Sequence, residues 1–389
     1  MDIHSARRMQ SFQQSIFSEL AKYKREKILK GYEIIDLSIG SPDLPPPPFV
    51  LDTLSDAAKD PNMYGYALKG TEDFHHAVKA YYERDFHIQL NESEEVISLM
   101  GSQDGLVHLP MALCDPGDYI LVPDPGYTAY ATGVAMAGAE MYPMPLKKEN
   151  GFVPELNEIP LEVCKKARLM ILSFPGNPIP ALATRAFFEE AIRFARKHNI
   201  VILHDFAYSE LYFEEKPISF LSVEGAMEVG IEMNSLSKSF NMAGCRVAYA
   251  VGNKDVLRTL GDLKSNLDYG IFLPIQKAAT KALLDNSSFL EENRSIYKKR
   301  RDVLIDGFKN IGWDVTAPKA SMFIWAEVPP QYTSKDFTLS LLEHANVVVT
   351  PGNAFGEWGE GYVRIALVQS EENLNKALKN IENSGLFRK

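Results

Sequence analysis

A lysine within a run of small and hydroxyl-bearing residues is the strongest chemical signal in this sequence. Lys238 lies in Asn234-Ser-Leu-Ser-Lys-Ser-Phe-Asn-Met-Ala-Gly-Cys-Arg246, directly after an apolar run. Burial disfavours the charged form of a lysine, and the neutral amine is the form that attacks a carbonyl group to give an imine. Ser235 and Arg246 could both bind a phosphate, because a guanidinium supplies planar, charge-assisted donors and a hydroxyl adds another. The stretch indicates an imine-forming lysine beside a phosphate site.

The same residues also fit the S-x-x-K motif of an acylating serine, in Ser235-Leu-Ser-Lys238. Enzymes with that motif also carry S-D-N and K-T-G, and neither tripeptide occurs in this chain. They are exported, whereas residues 1–30 are polar and charged and lack the apolar core of a signal peptide. The remaining alternative for the lysine is a solvated position in a loop.

Four further segments carry polar or aromatic residues just after predicted strands: Gly101-Ser102-Gln103, Pro125-Gly-Tyr127, Pro175-Gly-Asn177 and Asp205-Phe-Ala-Tyr208. Backbone N–H groups at Ser102 and Gln103 could hold a phosphate at the start of a helix. The Tyr127 ring could cover the flat face of a cofactor. The Asp205 carboxylate could keep a pyridine nitrogen protonated, while Asn177 and Tyr208 could donate to a phenolic oxygen.

An arginine inside a predicted strand completes the set. Arg364, in Tyr362-Val-Arg-Ile365, could clamp a substrate carboxylate with two parallel hydrogen bonds. Taken singly, these residues have structural interpretations as well: a glycine turn, a core tyrosine at position 127, an ion pair at position 364. Their joint occurrence in one order is what favours a cofactor site.

The set resembles the class I and II aminotransferases of fold type I, which depend on pyridoxal 5'-phosphate (PLP), and the resemblance covers nearly the whole chain. It is carried by Gly-Ser-Gln at 101–103, Pro-Gly-Asn-Pro at 175–178, Asp-Phe-Ala-Tyr at 205–208, Ser-Leu-Ser-Lys-Ser-Phe at 235–240 and Tyr-Val-Arg-Ile-Ala at 362–366. Each motif alone is common, but all five in this order are specific.

The resemblance implies a ping-pong transfer of an amino group from an L-amino acid to a 2-oxo acid. Lys238 would form the Schiff base with PLP and move the proton, with Asp205 on the pyridine nitrogen and Tyr208 on the phenolic oxygen. The implied cofactor-binding residues are Tyr66, Ser102, Gln103, Tyr127, Asn177, Asp205, Tyr208, Ser235, Lys238 and Arg246. The implied substrate-binding residues are Gly40, Asn177 and Arg364. No metal is expected, and His75, His76 and His204 are interpreted as structural because they lack metal-ligand spacing.

The family also implies a homodimer with its sites at the interface, where a tyrosine reaches the phosphate of the neighbouring subunit. Tyr66 is favoured for that role and Tyr64 is the alternative. Two motifs depart from the family pattern. Asn177-Pro-Ile-Pro180 replaces the usual Asn-Pro-Thr-Gly, and Pro351-Gly-Asn-Ala-Phe355 replaces the frequent Pro-Gly-Ser-x-Phe, which puts the loop shape and the substrate specificity in question.

Other functions remain open on the same fold. A PLP-dependent C–S β-lyase would use the same cofactor residues, and a PLP-binding regulator would need an added DNA-binding module, for which the residues before the first predicted strand are too few. Among aminotransferases, the motifs lean towards the bacterial branch with LL-diaminopimelate and methionine-salvage enzymes. The motifs themselves do not identify the amino acid.

The elements that must position these residues alternate between strand and helix. Apolar runs at Val96–Met100, Tyr119–Val122, Leu169–Phe174, Ile200–His204, Ile231–Asn234 and Arg246–Val251 are typical of buried strands. Thr184–His198 is predicted as an amphipathic helix capped by Thr184. This alternation predicts an α/β fold with a mostly parallel sheet flanked by helices.

The flanking regions complete the predicted organisation. Residues 11–30 are predicted to be helical, 34–40 to hold a short strand and the Pro45–Pro48 run to be an extended connector or a plain surface loop. After residue 285 a long charged helix is followed by strands at Ser321–Glu327, Val347–Val349 and Gly361–Val368. The predicted domains are 1–48, an N-terminal arm with part of the small domain; 49–285, the large PLP-binding domain; and 286–389, a smaller α+β domain.

Composition limits the classes of partner and the cellular environment expected for this chain. The net charge of −10 over 389 residues argues against nucleic-acid binding, and the longest apolar runs are too short to span a membrane. Cys114, Cys164 and Cys245 are odd in number and far apart, so they predict neither a disulfide framework nor a zinc site. A reducing cytoplasm is the expected location.

Overall fold

A central seven-stranded sheet organises most of the chain in the computed structural model, which describes residues 1, 3–6, 9, 12 and 16–387. The twelve strands are β1 (Ile35–Asp36), β2 (Val96–Leu99), β3 (Tyr119–Asp124), β4 (Glu140–Pro145), β5 (Ala167–Leu172), β6 (Val201–Asp205), β7 (Gly230–Ser235), β8 (Ala248–Gly252), β9 (Phe323–Glu327), β10 (Val347–Val348), β11 (Thr350–Pro351) and β12 (Tyr362–Ala366). The large sheet has the order β2-β8-β7-β6-β5-β3-β4.

The large sheet is mostly parallel, as the apolar runs predicted. Only β8 runs against both of its neighbours, β2 and β7. All six predicted strands are present, with ends shifted by up to two residues. The seventh strand, β4, was missed because it lies at the sheet edge, is largely exposed and contains two prolines.

Helices cover both faces of this sheet. The helices of the described chain, including those of the second core, are α1 (Ile16–Leu29), α2 (Pro48–Ala58), α3 (Glu72–Phe86), α4 (Ser102–Leu113), α5 (Thr128–Ala137), α6 (Leu161–Cys164), α7 (Arg185–His198), α8 (Ala226–Val229), α9 (Leu236–Ser239), α10 (Lys254–Lys264), α11 (Leu273–Leu283), α12 (Phe289–Asn310), α13 (Ser334–Ser340) and α14 (Glu371–Ser384). Alternate residues of β5 enter different cores: Leu169 and Ile171 pack on one face, Met170 and Leu172 on the other. None of the described helices is long and apolar enough to cross a membrane.

Two local predictions can be compared with the elements. In α7, Thr184 accepts the N–H of Phe187 as its cap and Asn199 ends the helix in a left-handed conformation, as the sequence predicted. The Pro45–Pro48 run is not wholly a connector, because Pro48 already opens α2. In the predicted helix over 11–30, residues 16–29 are helical, and positions 11 and 13–15 lie outside the described residues.

A second hydrophobic core lies around the antiparallel sheet β11-β12-β9. Helices α12 and α14 pack against it, and Ile35 and Leu37 join it from the N-terminal segment because β1 pairs with β10. These contacts attach part of the N-terminal segment to the C-terminal region. The boundaries at residues 48 and 285 stay predictions.

An ion pair ties the N-terminal segment to α12. Arg300 is 4% exposed and donates to both carboxylate oxygens of Asp43, at 2.7 and 2.8 Å, and to the Leu367 carbonyl at 3.0 Å. Its partner Asp43 is therefore the main counter-charge of a buried guanidinium. Removing the carboxylate would leave that charge without compensation.

We expect Asp43→Ala to lower the free energy of unfolding by about 2–3 kcal/mol, measured by urea denaturation of the cofactor-free protein. The matched control is Asp56→Ala, which removes an exposed pair with Lys59 and should change that free energy by less than about 0.5 kcal/mol. Equal losses in the two variants would contradict the assigned role of the Asp43–Arg300 pair.

Candidate active site

The carboxyl ends of the parallel strands open into a cavity of about 660 Å³. Every predicted site residue except Tyr66 lines it: Gly40, Ser102, Gln103, Tyr127, Asn177, Asp205, Tyr208, Ser235, Lys238, Arg246 and Arg364. Ser38, Thr128, Ser237 and Phe355 line it too and were not predicted. Tyr66 is 84% exposed, outside the cavity, with its ring 5.0 Å from that of Tyr269.

Lys238 lies in the short helix α9, which directly follows β7. Its amine donates to the Gly40 carbonyl oxygen at 2.7 Å. Burial lowers the pKa of Lys238 to about 8, and the positive charges of Arg364 and Arg246 act in the same direction. Roughly a tenth of this amine is therefore neutral at pH 7, far more than for an ordinary lysine, and the neutral form is the one that forms an imine.

One end of the cavity is built to hold an anion. Gly101 caps α4 with φ +83°, and Ser102 and Gln103, the first two residues of the helix, line the cavity, where a helix N-terminus favours an anion. A Cβ atom at Gly101 would lie 2.3 Å from a terminal nitrogen of Arg246, so only glycine allows this approach. The Ser235 hydroxyl donates to that of Ser237 at 2.9 Å, which places a second hydroxyl at this end.

Asp205 ends β6, is buried and lines the same cavity as Lys238. Burial raises the pKa of its carboxyl group, and hydrogen bonds from Tyr130 and from the Ala207 N–H oppose that rise. The Tyr130 hydroxyl donates to Asp205 Oδ2 at 2.7 Å. Sequence reasoning missed Tyr130, although its position three residues after Tyr127 on a helix was a usable signal.

Arg364, on β12, forms the opposite end. Its terminal nitrogens donate to Asn177 Oδ1 at 2.8 Å, to the Ser38 carbonyl at 2.6 Å and to the Thr350 hydroxyl at 3.3 Å. The guanidinium lies between the rings of Phe323 and Phe355, at 4.4 and 4.7 Å from their centroids. Its Nε is buried with no hydrogen-bond partner within the described part of the chain. Burial lowers the pKa of Arg364 to about 10.

The two departures from the expected motifs fall beside Arg364. In the Asn-Pro-Ile-Pro segment, the Gly176 N–H donates to the Ile179 carbonyl at 3.0 Å, and the closed turn presents Asn177 to the arginine. In the other segment, Phe355 supplies one of the two rings on the guanidinium. Both unusual loops therefore keep a contact with the predicted carboxylate clamp.

The remaining predicted residues are placed as follows. The Tyr127 hydroxyl donates to Gln103 Oε1 at 3.3 Å, and Tyr208 has a raised pKa because it is buried, so its hydroxyl stays a donor. His204 is fully buried between Glu232, at 2.9 Å, and the Phe174 carbonyl, at 3.2 Å, which suits a structural role. No cluster of metal-ligating side chains occurs among residues 16–387.

The donor set suits a flat, anionic cofactor with a carbonyl group. The cavity offers an amine of lowered pKa, a buried carboxylate for a protonated ring nitrogen, and helix N–H groups with an arginine for a phosphate. It also offers, at the far end, the guanidinium of Arg364, whose hydrogen-bond partners in the described structure are uncharged. This combination defines a PLP enzyme acting on a carboxylate-bearing substrate.

Comparison with known proteins identifies the family. The profile of the family "Aminotransferase class I and II" matches residues 32–381. The chain is 43% identical to LL-diaminopimelate aminotransferase of Syntrophobacter fumaroxidans, over 97% of both chains. It is 44% identical to the enzyme of the same name from Dehalococcoides mccartyi, over 97% of this chain and 98% of that one. Substrate-bound BacF from Bacillus subtilis matches with a TM-score of 0.94 at 39% identity, over 98% of each chain.

The chain belongs to the class I and II aminotransferases. It is a PLP-dependent enzyme of fold type I that transfers an amino group, as the five sequence motifs predicted. An aspartate aminotransferase variant of Thermus thermophilus shares the fold with a TM-score of 0.92 at 27% identity, over 98% of this chain and 100% of that one. The prediction of an aminotransferase is confirmed.

We expect the rate at which the cofactor-free protein captures PLP to rise with pH and to reach half of its plateau near pH 8, because Lys238 must lose its proton first. A lysine with an unperturbed pKa would place the midpoint at a pH of about 10.4. Arg364→Met should move the midpoint upward, since it removes a neighbouring positive charge. Stopped-flow absorbance measures the rate, and a midpoint near 10 would contradict the assigned environment.

Proposed function

We propose that this enzyme runs a ping-pong transamination in which Lys238 is both the attachment point of PLP and the group that moves the substrate α-proton. The observation that carries the proposal is the placement of the Lys238 amine, with its lowered pKa, in one buried cavity with Asp205 and Arg364. An amine that is partly neutral at working pH can act as a general base and return the proton as a general acid.

The proposed roles of the other residues follow from their contacts. Bound PLP supplies the electron sink for the bond broken at the substrate α-carbon. Asp205 would stabilise a positive charge on the ring nitrogen, and Tyr127 would pack on the ring face. The α4 N-terminus, with Ser102, Gln103, Ser235 and Arg246, would bind the phosphate.

At the substrate end, Arg364 would bind the α-carboxylate. Its partners Asn177, the Ser38 carbonyl and Thr350 are uncharged, so the guanidinium keeps its charge for a ligand. Asn177 and Tyr208 would also hydrogen bond to the phenolic oxygen of PLP. The Gly40 carbonyl, which accepts from Lys238, would border the substrate.

We propose LL-diaminopimelate as the amino donor, with a 2-oxo acid as the acceptor. The support is the full-length similarity to two enzymes named for that substrate, at 43% and 44% identity. BacF, which is also similar, carries no substrate in its name, so the proposal rests on the diaminopimelate enzymes.

The test follows the visible absorbance of the PLP-loaded protein as single amino acids are added. LL-Diaminopimelate should convert the cofactor to its amino form, while Lys238→Ala should lower the turnover rate by at least about 10³-fold. Lys309→Ala, an exposed lysine on α12, is the control and should match the wild type. Release of ammonia with a 2-oxo acid and no amino form of the cofactor would instead support a lyase. A wild-type rate for Lys238→Ala would overturn the assignment.

A homodimer with shared sites is also proposed. Tyr64, Tyr66, Leu68 and Tyr269 are all at least 57% exposed and form an apolar surface patch, which is typical of an interface. The Tyr64 hydroxyl donates to the Ala58 carbonyl of its own chain at 2.7 Å, which leaves Tyr66 as the better candidate to reach the neighbouring phosphate.

We expect twice the chain mass of 43.6 kDa in light scattering. Tyr66→Phe should weaken PLP binding by about 10-fold, through loss of a hydrogen bond to a charged group, and Tyr64→Phe should not. Mixing Tyr66→Phe with Lys238→Ala subunits should raise activity at limiting PLP above that of either variant, since one site of the mixed dimer is intact. A monomer, or no gain on mixing, would contradict the shared site.

A cytoplasmic location is proposed as well. Its support is the three cysteines, all present as free thiols, of which Cys114 and Cys164 are buried.

A further inference from the structure

The groups that donate hydrogen bonds to Asp205 are uncharged. Its two hydrogen-bond donors in the described structure are the Tyr130 hydroxyl, 2.7 Å from Oδ2, and the Ala207 N–H, 3.3 Å from Oδ1. The positive charges that act on it are those of His204 and Lys238, and neither is hydrogen bonded to it. The orientation of this buried carboxylate therefore depends on one short side-chain hydrogen bond.

Tyr130, the donor of that hydrogen bond, is held in place by its own packing. It lies in the first turn of α5, is 0% exposed and packs in the core between the sheet and α4. Its ring meets the Tyr127 ring edge-on, with centroids 5.9 Å apart and planes at 90°. A Cβ atom at Gly126 would lie 2.3 Å from the Pro123 carbonyl oxygen and 3.2 Å from the Tyr130 ring, so the glycine before Tyr127 leaves room for the Tyr130 ring. One helical turn thus holds the residue facing the cofactor ring and the residue that contacts Asp205.

The phenol of Tyr130 donates to Asp205, and its oxygen also has a hydrogen bond with the Ser173 side chain. Burial and the neighbouring Asp205 charge raise its pKa well above the ordinary value, so the hydroxyl keeps its proton at any working pH. The other titratable groups near Asp205 are Tyr127, Tyr208, His204 and Lys238. Neither Tyr127 nor Tyr208 donates a hydrogen bond to Asp205 in the described structure, and the His204 ring is hydrogen bonded to Glu232 instead.

We propose that Tyr130 is a positioning residue of the amino-transfer reaction, whose hydroxyl orients the Asp205 carboxylate towards the cofactor ring and favours its ionised form. The inference rests on the proposed role of Asp205. Without the hydroxyl, Asp205 keeps only the longer hydrogen bond from the Ala207 N–H, so it is less well oriented and less able to hold a positive charge on the ring nitrogen. Binding of the substrate carboxylate at Arg364 is unaffected, because Tyr130 does not contact that end.

The test is Tyr130→Phe, which removes one oxygen atom. We expect about 10-fold weaker PLP binding and a kcat lowered by about 10-fold or more, with KM for the amino acid within about twofold. The pH midpoint of the visible absorbance of the PLP-loaded protein should rise, because less positive charge on the ring makes the attached nitrogen more basic. The matched control is Tyr81→Phe, which removes another buried hydroxyl bonded to a carboxylate, that of Glu210, outside the cavity.

Asp205→Asn separates a positioning role from a general structural one. If Tyr130 acts through Asp205, Tyr130→Phe in the Asp205→Asn background should change kcat and PLP affinity by less than about twofold, whereas Tyr81→Phe should have the same effect in both backgrounds. Unfolding of the cofactor-free variants shows whether the loss of a buried hydroxyl alone explains the result. Additive effects, or an absorbance midpoint unchanged in Tyr130→Phe, would overturn the inference. Wild-type protein that binds no PLP would instead overturn the proposed function.

Discussion

Two backbone carbonyls of the N-terminal segment accept hydrogen bonds from two cationic side chains of the active site, the buried Arg364 and the half-buried Lys238. The Ser38 oxygen accepts from Arg364 and the Gly40 oxygen accepts from Lys238, at 2.6 and 2.7 Å. A carbonyl satisfies a hydrogen-bond donor without cancelling its charge. Lys238 therefore stays easy to deprotonate and Arg364 stays available to an anion, which a carboxylate in the same place would prevent.

The rest of the structure keeps that segment in place. Asp36 accepts the N–H and the hydroxyl of Ser38, at 2.9 and 2.6 Å, and pairs with Lys24 at 2.7 Å. The β1–β10 pairing and the Arg300–Asp43 pair attach the chain on either side of it to the second core. A shift of this segment by about an ångström would leave the Arg364 guanidinium or the Lys238 amine with an unsatisfied donor, so the stability of the small core and the chemistry of the site are linked.

The charged side chains that line the cavity are mostly cationic and lie at different places along it. Among the described residues that line it, Asp205 is the single carboxylate, while Arg246 and Arg364 stand at opposite ends. An acidic chain of net charge −10 thus contains a locally basic cavity. Such a cavity favours a ligand with an anionic group at each end and one cationic centre between them, which describes a phosphate-bearing cofactor joined to an amino acid.

The sequence by itself determined the fold class, six of the seven strands of the large sheet and eleven of the residues that line the cavity. It could do so because buried strands show as apolar runs, and because residues that end parallel strands meet at one edge. Only the tertiary structure decided the partners: Tyr130 on Asp205, Phe323 and Phe355 around Arg364, and the Ser38 and Gly40 carbonyls. Residue type does not show which backbone carbonyl will accept a hydrogen bond, and contacts between residues in different secondary-structure elements have no local sequence pattern. The edge strand β4 escaped prediction for the related reason that exposure removes the apolar signal.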